Sequence, residues 1–177
     1  MTFTVSEFRA ALGHFPTGVA IVTMREPDGR LQGVTVNSFN SVSLDPSLVL
    51  FSIAKNALSF AAWEAATTWG ISILAEGQHT LSRRFAQSKV DKWSDLAPIE
   101  GAAGVPLIAG ALAHFECDKY AFYDGGDHSI MIGKVVSLTG PAASMIQPLV
   151  YFAGGYHQIH KTDLQPAHSS RDCDTVC

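Results

Sequence analysis

Short apolar runs separated by turn residues dominate the pattern along the chain. Residues 19–24 form a β-rich run, a turn follows at 26–29, and apolar residues return from Leu31, which predicts a hairpin. The same reasoning predicts strands at residues 39–44, 48–53, 69–74, 112–123, 130–138 and 149–152. These strands are joined by hairpin-length turns, with only short helices between them. The pattern therefore predicts an antiparallel barrel rather than a doubly wound sheet.

Three short helices are predicted beside these strands. Thr4 and Glu7 have the spacing of a capping box, and Phe8 and Leu12 follow on one helical face. Two further helices are predicted at residues 59–66 and 80–86. No repeat or linker divides the chain, so we expect one domain over residues 1–160 and a polar, disordered tail over 161–177.

Composition and charge exclude several classes of protein. The chain has 177 residues, of which 47% are hydrophobic and 16% charged, with a net charge of −4. Without a basic run we expect no nucleic-acid partner, and without a long apolar stretch no membrane span. The first residues lack the pattern of a signal peptide, and the three cysteines, Cys117, Cys173 and Cys177, have no disulfide-framework spacing. We expect a cytoplasmic protein without a metal site.

Hydroxyl and amide side chains are concentrated between residues 35 and 43, inside what otherwise reads as two strands. Such residues are uncommon in strand interiors unless they have a polar target, because they compete for backbone hydrogen bonds. A phosphate or the edge of a flavin ring is such a target. A solvated, Ser/Thr-rich strand face explains the composition equally well.

Two further segments predict anion contacts. Ser52, Lys55, Asn56 and Ser59 lie between a strand end and a helix start, where free N–H groups favour an anion. The alternative is that Asn56 or Ser59 only caps the helix. Arg83 belongs to the one locally basic spot of the chain and could bind a phosphate, or it could lie on a solvated helix face.

The turn at residues 124–127 is the third candidate. A Gly-Gly pair makes a hairpin turn without any further role. The turn also places Asp127 beside His128, and a carboxylate can orient a histidine that binds a nicotinamide or transfers a proton.

The chain lacks several common catalytic motifs. It has no G-x-G-x-x-G opening a βα unit, so a nicotinamide would not be held by a Rossmann fold. It has neither a Walker A motif nor a G-x-S-x-G nucleophile elbow.

Five motifs occur in the order seen in the short-chain flavin reductases, the reductase components of two-component flavin monooxygenases. They are F-P-T-G-V at 15–19, G-V-T-V-N-S-F at 33–39, S-V-S-L-D-P at 41–46, G-D-H at 126–128 and P-L-V-Y-F at 148–152. The chain resembles this family from about Phe8 to His157.

The resemblance implies a six-stranded Greek-key split barrel, mainly β with short flanking helices, that forms a homodimer. It implies reduction of FMN or FAD by NADH or NADPH and delivery of reduced flavin to a monooxygenase. The residues implied for the flavin ring are Pro16, Thr17, Gly18, Thr35, Val36, Asn37 and Ser38. Those implied for the ribityl-phosphate or adenylate portion are Ser52, Lys55, Asn56, Ser59, Arg83 and Phe85. Asp127 and His128 would lie on the nicotinamide side, and Tyr156 at the mouth.

Two alternatives stay open at this point. A split-barrel flavin protein could instead be an electron carrier, a redox sensor or an oxidase that releases no flavin. A non-catalytic binding domain would use the Ser/Thr-rich run only as a solvated face.

Overall fold

The structure is a computed structural model that describes residues 2–140 and 147–159. The predicted tail, residues 161–177, lies outside the described residues, together with Cys173 and Cys177.

The predicted capping box forms at the start of α1 (Val5–Leu12). The backbone N–H of Glu7 donates to Thr4 Oγ1 at 3.2 Å, and the N–H of Thr4 donates to Glu7 Oε2 at 2.7 Å. These hydrogen bonds lower the pKa of Glu7. No residue of α1 is buried, so Phe8 and Leu12 remain exposed in the single chain.

Strands make up most of the remaining structure. In chain order they are β1 (Thr17–Gly18), β2 (Ala20–Arg25), β3 (Leu31–Val36), β4 (Asn40–Leu44), β5 (Ser47–Ala54), β6 (Thr68–Ile73), β7 (Ile99–Glu100), β8 (Pro106–Leu107), β9 (Ala113–Gly125), β10 (His128–Thr139), β11 (Val150–Phe152) and β12 (Gly155–His157). The other helices are α2 (Phe60–Ala65) and α3 (His79–Ala86), the latter preceded by a 3-10 turn, Glu76–Gln78.

The main sheet is antiparallel, with strand order β3-β2-β6-β9-β10-β5-β4. This confirms the mainly β, antiparallel fold class. The predicted count of six strands is wrong, because β4 pairs with β5 as a seventh. The sheet is also not closed by hydrogen bonds, since β3 and β4 are its two edges. Two small sheets, β1-β11-β12 and β7-β8, flank it.

The connection between the two edge strands requires the sheet to curl. Only residues 37–39 join β3 to β4. In a flat sheet six steps of about 4.8 Å would separate these edges by about 29 Å. The three residues bridge four Cα–Cα steps, about 14 Å when fully extended. The sheet therefore bends into a barrel that is split between β3 and β4.

The barrel interior is aromatic. The rings of Trp63 and Trp69 both approach the Phe51 ring edge-on at 5.7 Å, and all three side chains are fully buried. Cys117 packs in the same cluster, and burial raises the pKa of its thiol to about 12. This thiol is therefore uncharged at neutral pH.

A second apolar cluster lies under α3 and includes Ile21, Leu74 and Phe85. This cluster anchors α3, the helix whose last turn contributes to the candidate site. In the part of the chain that the structure describes, no helix has the length and apolar character needed to cross a membrane.

We expect Gly133→Ala to destabilise the barrel. A Cβ at Gly133, on β10, would lie 2.7 Å from Cys117 Cβ and 2.9 Å from Trp69 Cζ2, and neither buried neighbour can move aside. Overpacking of this kind costs about 1–3 kcal/mol of the free energy of unfolding, measurable by urea titration.

Gly77→Ala is the matched control, because a Cβ there would meet no atom within 4 Å. Its free energy of unfolding should stay within about 0.5 kcal/mol of the parent. Equal urea midpoints for the two variants would contradict the tight packing at Gly133.

Candidate functional site: a polar cavity at the split of the barrel

A cavity of about 1020 Å³ lies at the split of the barrel. Its walls come from β3 and the 37–38 connection, from β5 and the segment leading to α2, from the start of β10, and from the end of α3 with the segment after it. The lining residues fall in the ranges 31–32, 34–38, 52–54, 56–59 and 85–93, together with Gly125, His128 and Ile130.

The cavity brings together nine of the residues predicted for the site. They are Thr35, Val36, Asn37, Ser38, Ser52, Asn56, Ser59, Phe85 and His128. They come from β3, β5, β10, α3 and two connections, so their convergence is a property of the curled sheet and not of the local sequence. The first part of the polar run, residues 35–38, is thus a cavity wall, whereas its second part, on β4, lies outside the lining and is mostly exposed.

Hydrogen bonds within the wall fix what two hydroxyl groups can offer a ligand. The backbone N–H of Ser52 donates to Ser38 Oγ at 2.9 Å, which leaves the Ser38 hydroxyl proton free to donate. Thr35 Oγ1 donates to the backbone carbonyl of Ser82 at 2.7 Å, so its remaining capacity is to accept. The wall therefore presents both a donor and an acceptor.

Ser59 stands at the N-cap position of α2, but its side chain makes no capping hydrogen bond. The alternative in which the Ser59 hydroxyl only caps α2 is therefore wrong. Its hydroxyl remains available to the cavity that Ser59 lines.

The β9–β10 turn holds the Asp127–His128 pair as predicted. Gly126 has φ +83°, the left-handed conformation that this two-residue turn requires. Asp127 Oδ1 lies 2.7 Å from His128 Nδ1, and this hydrogen bond lowers the pKa of Asp127. The carboxylate orients the ring, and His128 lines the cavity while Asp127 does not.

Lys55 lies at the same end of the barrel but outside the cavity lining. Its ammonium pairs with the carboxylate of Asp124, and the pair lowers the pKa of Asp124. The backbone N–H of Lys55 donates to the Asp127 carbonyl at 3.0 Å. The side chain therefore ties the hairpin tip to β5 rather than facing the cavity.

Arg83 and Tyr156 line a second, smaller cavity of about 590 Å³ on another side of α3. The Arg83 guanidinium carbon lies 5.6 Å from the centroid of the Tyr156 ring. The Tyr156 hydroxyl lies 2.7 Å from Ser82 Oγ, so Ser82 contacts both Tyr156 and Thr35. Arg83 and Tyr156 are thus adjacent to each other, but they line a different cavity from the nine predicted residues of the large cavity.

Pro16, Thr17 and Gly18 do not line either cavity. Thr17 and Gly18 form β1 and pair with Tyr151 and Val150 of β11. The F-P-T-G-V motif therefore joins the small sheet in the single chain.

Residues 87–93 line the large cavity, and the sequence reasoning assigned nothing to them. The segment is polar and follows α3 without a regular pattern. The sequence feature that could have indicated a role for this segment is Trp93, next to Lys92, in a loop that is otherwise mostly polar. Trp93 packs edge-on against Phe85, with ring centroids 5.1 Å apart.

Among the residues that the structure describes, no three His, Cys, Asp or Glu side chains lie close enough together to hold a metal ion.

The comparisons with known proteins agree with this arrangement. A reductase component of the flavin-dependent trigonelline monooxygenase of Acinetobacter baylyi is 40% identical over 168 residues, 95% of this chain, and the chain spans about half (51%) of that relative's length. The FMN reductase (NADH) SmoA of Agrobacterium fabrum is 47% identical over 73% of both chains.

Among solved structures, the NADH:FAD oxidoreductase SgcE6 of Streptomyces globisporus, in complex with NAD and FAD fragments, superposes with a TM-score of 0.81. It is 37% identical, over 88% of this chain and 92% of that one. The model of the flavin reductase like domain matches residues 12–160. The chain therefore belongs to the flavin reductase like domain family.

Proposed function

We propose that this protein is a flavin reductase that transfers a hydride from NADH or NADPH to FMN or FAD and supplies the reduced flavin to a partner monooxygenase. The observation that carries the proposal is the large cavity at the split of the barrel, lined by neutral donors and acceptors. Relatives named as FMN and FAD reductases that use NADH support it.

The residues of the cavity fit a flavin. Its pyrimidine edge alternates carbonyl acceptors with an N–H donor, and Ser38 and Thr35 offer the matching donor and acceptor. Asn37, Ser52, Asn56 and Ser59 add neutral polar groups for the ring edge and the ribityl-phosphate chain. Lys89 contributes positive charge that suits a phosphate.

A flavin held by these residues would supply the redox chemistry, as the hydride acceptor from the nicotinamide. The chain's own residues bind and orient the two reactants and exclude water from between them. Val34, Val36 and Ile130 give the cavity apolar area against which an aromatic ring can lie.

His128 stands on the nicotinamide side in this proposal. Asp127 holds the Nδ1 edge of its ring, so Nε2 is the atom left to contact a ligand. Arg83 is assigned to the ribityl-phosphate or adenylate portion and Tyr156 to the mouth of the site, and the support is that the cavity they line borders α3. Pro16, Thr17 and Gly18 are assigned to the flavin ring on the family resemblance alone, since they line neither cavity.

We also infer a homodimer in the cytoplasm, with residues 1–160 as one domain. The support for a dimer is the uncovered apolar surface of α1 and the residues beside it. Phe3, Phe8, Leu12 and Phe15 are 53%, 52%, 57% and 75% exposed. Contiguous exposure of this kind marks an interaction site.

The proposed activity is tested by an assay of NADH and NADPH oxidation with FMN, FAD and riboflavin in turn. We expect nicotinamide oxidation at 340 nm to depend on added free flavin and to saturate with it. A carrier with permanently bound flavin would show no such dependence, and a non-catalytic domain would neither oxidise the nicotinamide nor quench flavin fluorescence.

His128→Ala should raise the KM for the nicotinamide several-fold and leave the Kd for flavin within about twofold, because Nε2 contacts the co-substrate and not the flavin cradle. Asp127→Asn should give a smaller effect in the same direction, since the ring keeps a neighbour but loses its charged partner. Unchanged KM and kcat in His128→Ala would remove this residue from the mechanism.

The proposed dimer is tested by light scattering coupled to gel filtration. We expect a mass about twice the 18.9 kDa of the chain. Replacing Phe8 and Leu12 together by serine should shift the protein to the monomer, because it removes apolar area that a partner would cover.

Ile99→Ser is the control for that variant, since Ile99 is an exposed apolar residue on β7. It should keep the parent mass. A monomeric parent protein would contradict the dimer while leaving the reductase assay to decide the activity.

A further inference from the structure

One side chain links the least anchored wall of the large cavity to the sheet. Residues 87–93, the wall segment, contribute seven consecutive lining residues. Lys92 Nζ donates to the carbonyl of Gly33 at 2.8 Å and to the carbonyl of Phe85 at 3.0 Å. Gly33 lies on β3 and Phe85 in the last turn of α3, so one ammonium joins three elements.

Few other contacts hold the wall segment in place. Within residues 2–140 and 147–159, no other hydrogen bond connects residues 87–93 to the main sheet. The other contacts are with α3 and the apolar cluster beneath it: the N–H of Gln87 donates to the Arg84 carbonyl at 3.2 Å, and the Trp93 ring packs against Phe85 and that cluster. A segment with so few links opens at low free-energy cost compared with the strands beside it.

The surroundings of the ammonium favour this bridging role. The carbonyl of Phe85 belongs to the C-terminal turn of α3, where the helix carries partial negative charge. The close approach of Phe85 to β3 is possible because residue 33 is glycine: a Cβ there would lie 2.5 Å from the Phe85 ring. Lys92 is half-buried, and this burial lowers the pKa of its side chain.

We propose that Lys92 is a positioning residue for flavin: it holds the wall segment closed on the cavity through the Gly33 and Phe85 carbonyls. This inference rests on the proposed function, because it names flavin as the occupant. Since two of the three ammonium donors are committed to carbonyls, the principal effect of Lys92 on the ligand passes through the wall rather than through a phosphate contact.

Lys92→Met tests the proposal, since methionine keeps most of the apolar stem and removes both donors. We expect the Kd for FMN and the Kd for riboflavin to rise by the same factor, about tenfold, measured by flavin fluorescence. The kcat at saturating flavin and nicotinamide should stay within about twofold. Lys92→Arg should recover most of the affinity, because guanidinium can donate to both carbonyls.

Lys134→Met is the matched control. Lys134 is an exposed lysine on β10 outside the cavity lining, so its loss should change neither Kd. Should Lys92→Met fail to fold, Lys92→Gln retains one donor group and should give an intermediate rise in both Kd values.

Three results would overturn the proposal. Unchanged Kd values in Lys92→Met would show that the wall does not need this link. A loss confined to FMN, with riboflavin unaffected, would assign Lys92 to the phosphate. A fall in kcat at saturation with unchanged Kd would assign it to hydride transfer.

A measurement without flavin separates this proposal from the proposed function. Tryptic cleavage after Lys89 reports opening of the wall segment and should be faster in Lys92→Met than in the parent and in Lys134→Met. Faster cleavage in a protein whose parent form reduces no flavin would retain the wall role and reject the reductase. Active parent protein with unchanged cleavage and unchanged Kd would reject the wall role alone.

Discussion

The three-residue connection from β3 to β4 is the constraint on which the rest of the structure depends. It joins the two edges of a seven-stranded sheet and so forces the sheet to curl. The same residues, Asn37, Ser38 and Phe39, then stand at the split, where neighbouring backbone groups cannot all find ladder partners. The N–H of Ser52 finds Ser38 Oγ instead. The curl of the sheet and the polarity of the cavity at its split therefore have the same origin.

Much of this could be predicted from the sequence, because the signals were local. The capping box at Thr4 and Glu7, the Gly126 turn and the short apolar runs of the strands depend on residues within a few positions of one another. Counting the strands of the sheet was less reliable. The strand at residues 39–44 was predicted, and its hairpin to β5 is local, with Leu44 opposite Ser47. The count of six came from the family resemblance, and how many strands join one sheet depends on pairings between distant segments, such as β2 with β6 and β6 with β9.

Polar segments of the cavity lining were predicted on strands and on connections alike, whereas residues 87–93 were missed. Residues 87–93 have no periodicity, and what gives them a role is contact with Gly33 and Phe85, neither of which the local sequence reveals. Lys55 shows the converse. Its position after a strand suggested an anion contact, but an acidic neighbour 69 positions away, Asp124, takes up the charge. Whether a lysine is free to bind an anion therefore depends on pairing with residues far away in the sequence.

The cavity thus combines walls of unequal stability. β3, β5 and β10 are held by continuous ladders and by the aromatic core behind them, so the cradle at Thr35 and Ser38 is fixed before any ligand arrives. The wall segment is joined to the main sheet by one ammonium, and its other contacts are with α3 and the apolar cluster beneath that helix. A reductase that releases its reduced flavin needs this inequality: a fixed cradle keeps the geometry for hydride transfer, and a lightly held wall lets the product leave. A cavity enclosed on every side by the barrel would bind flavin well and exchange it slowly.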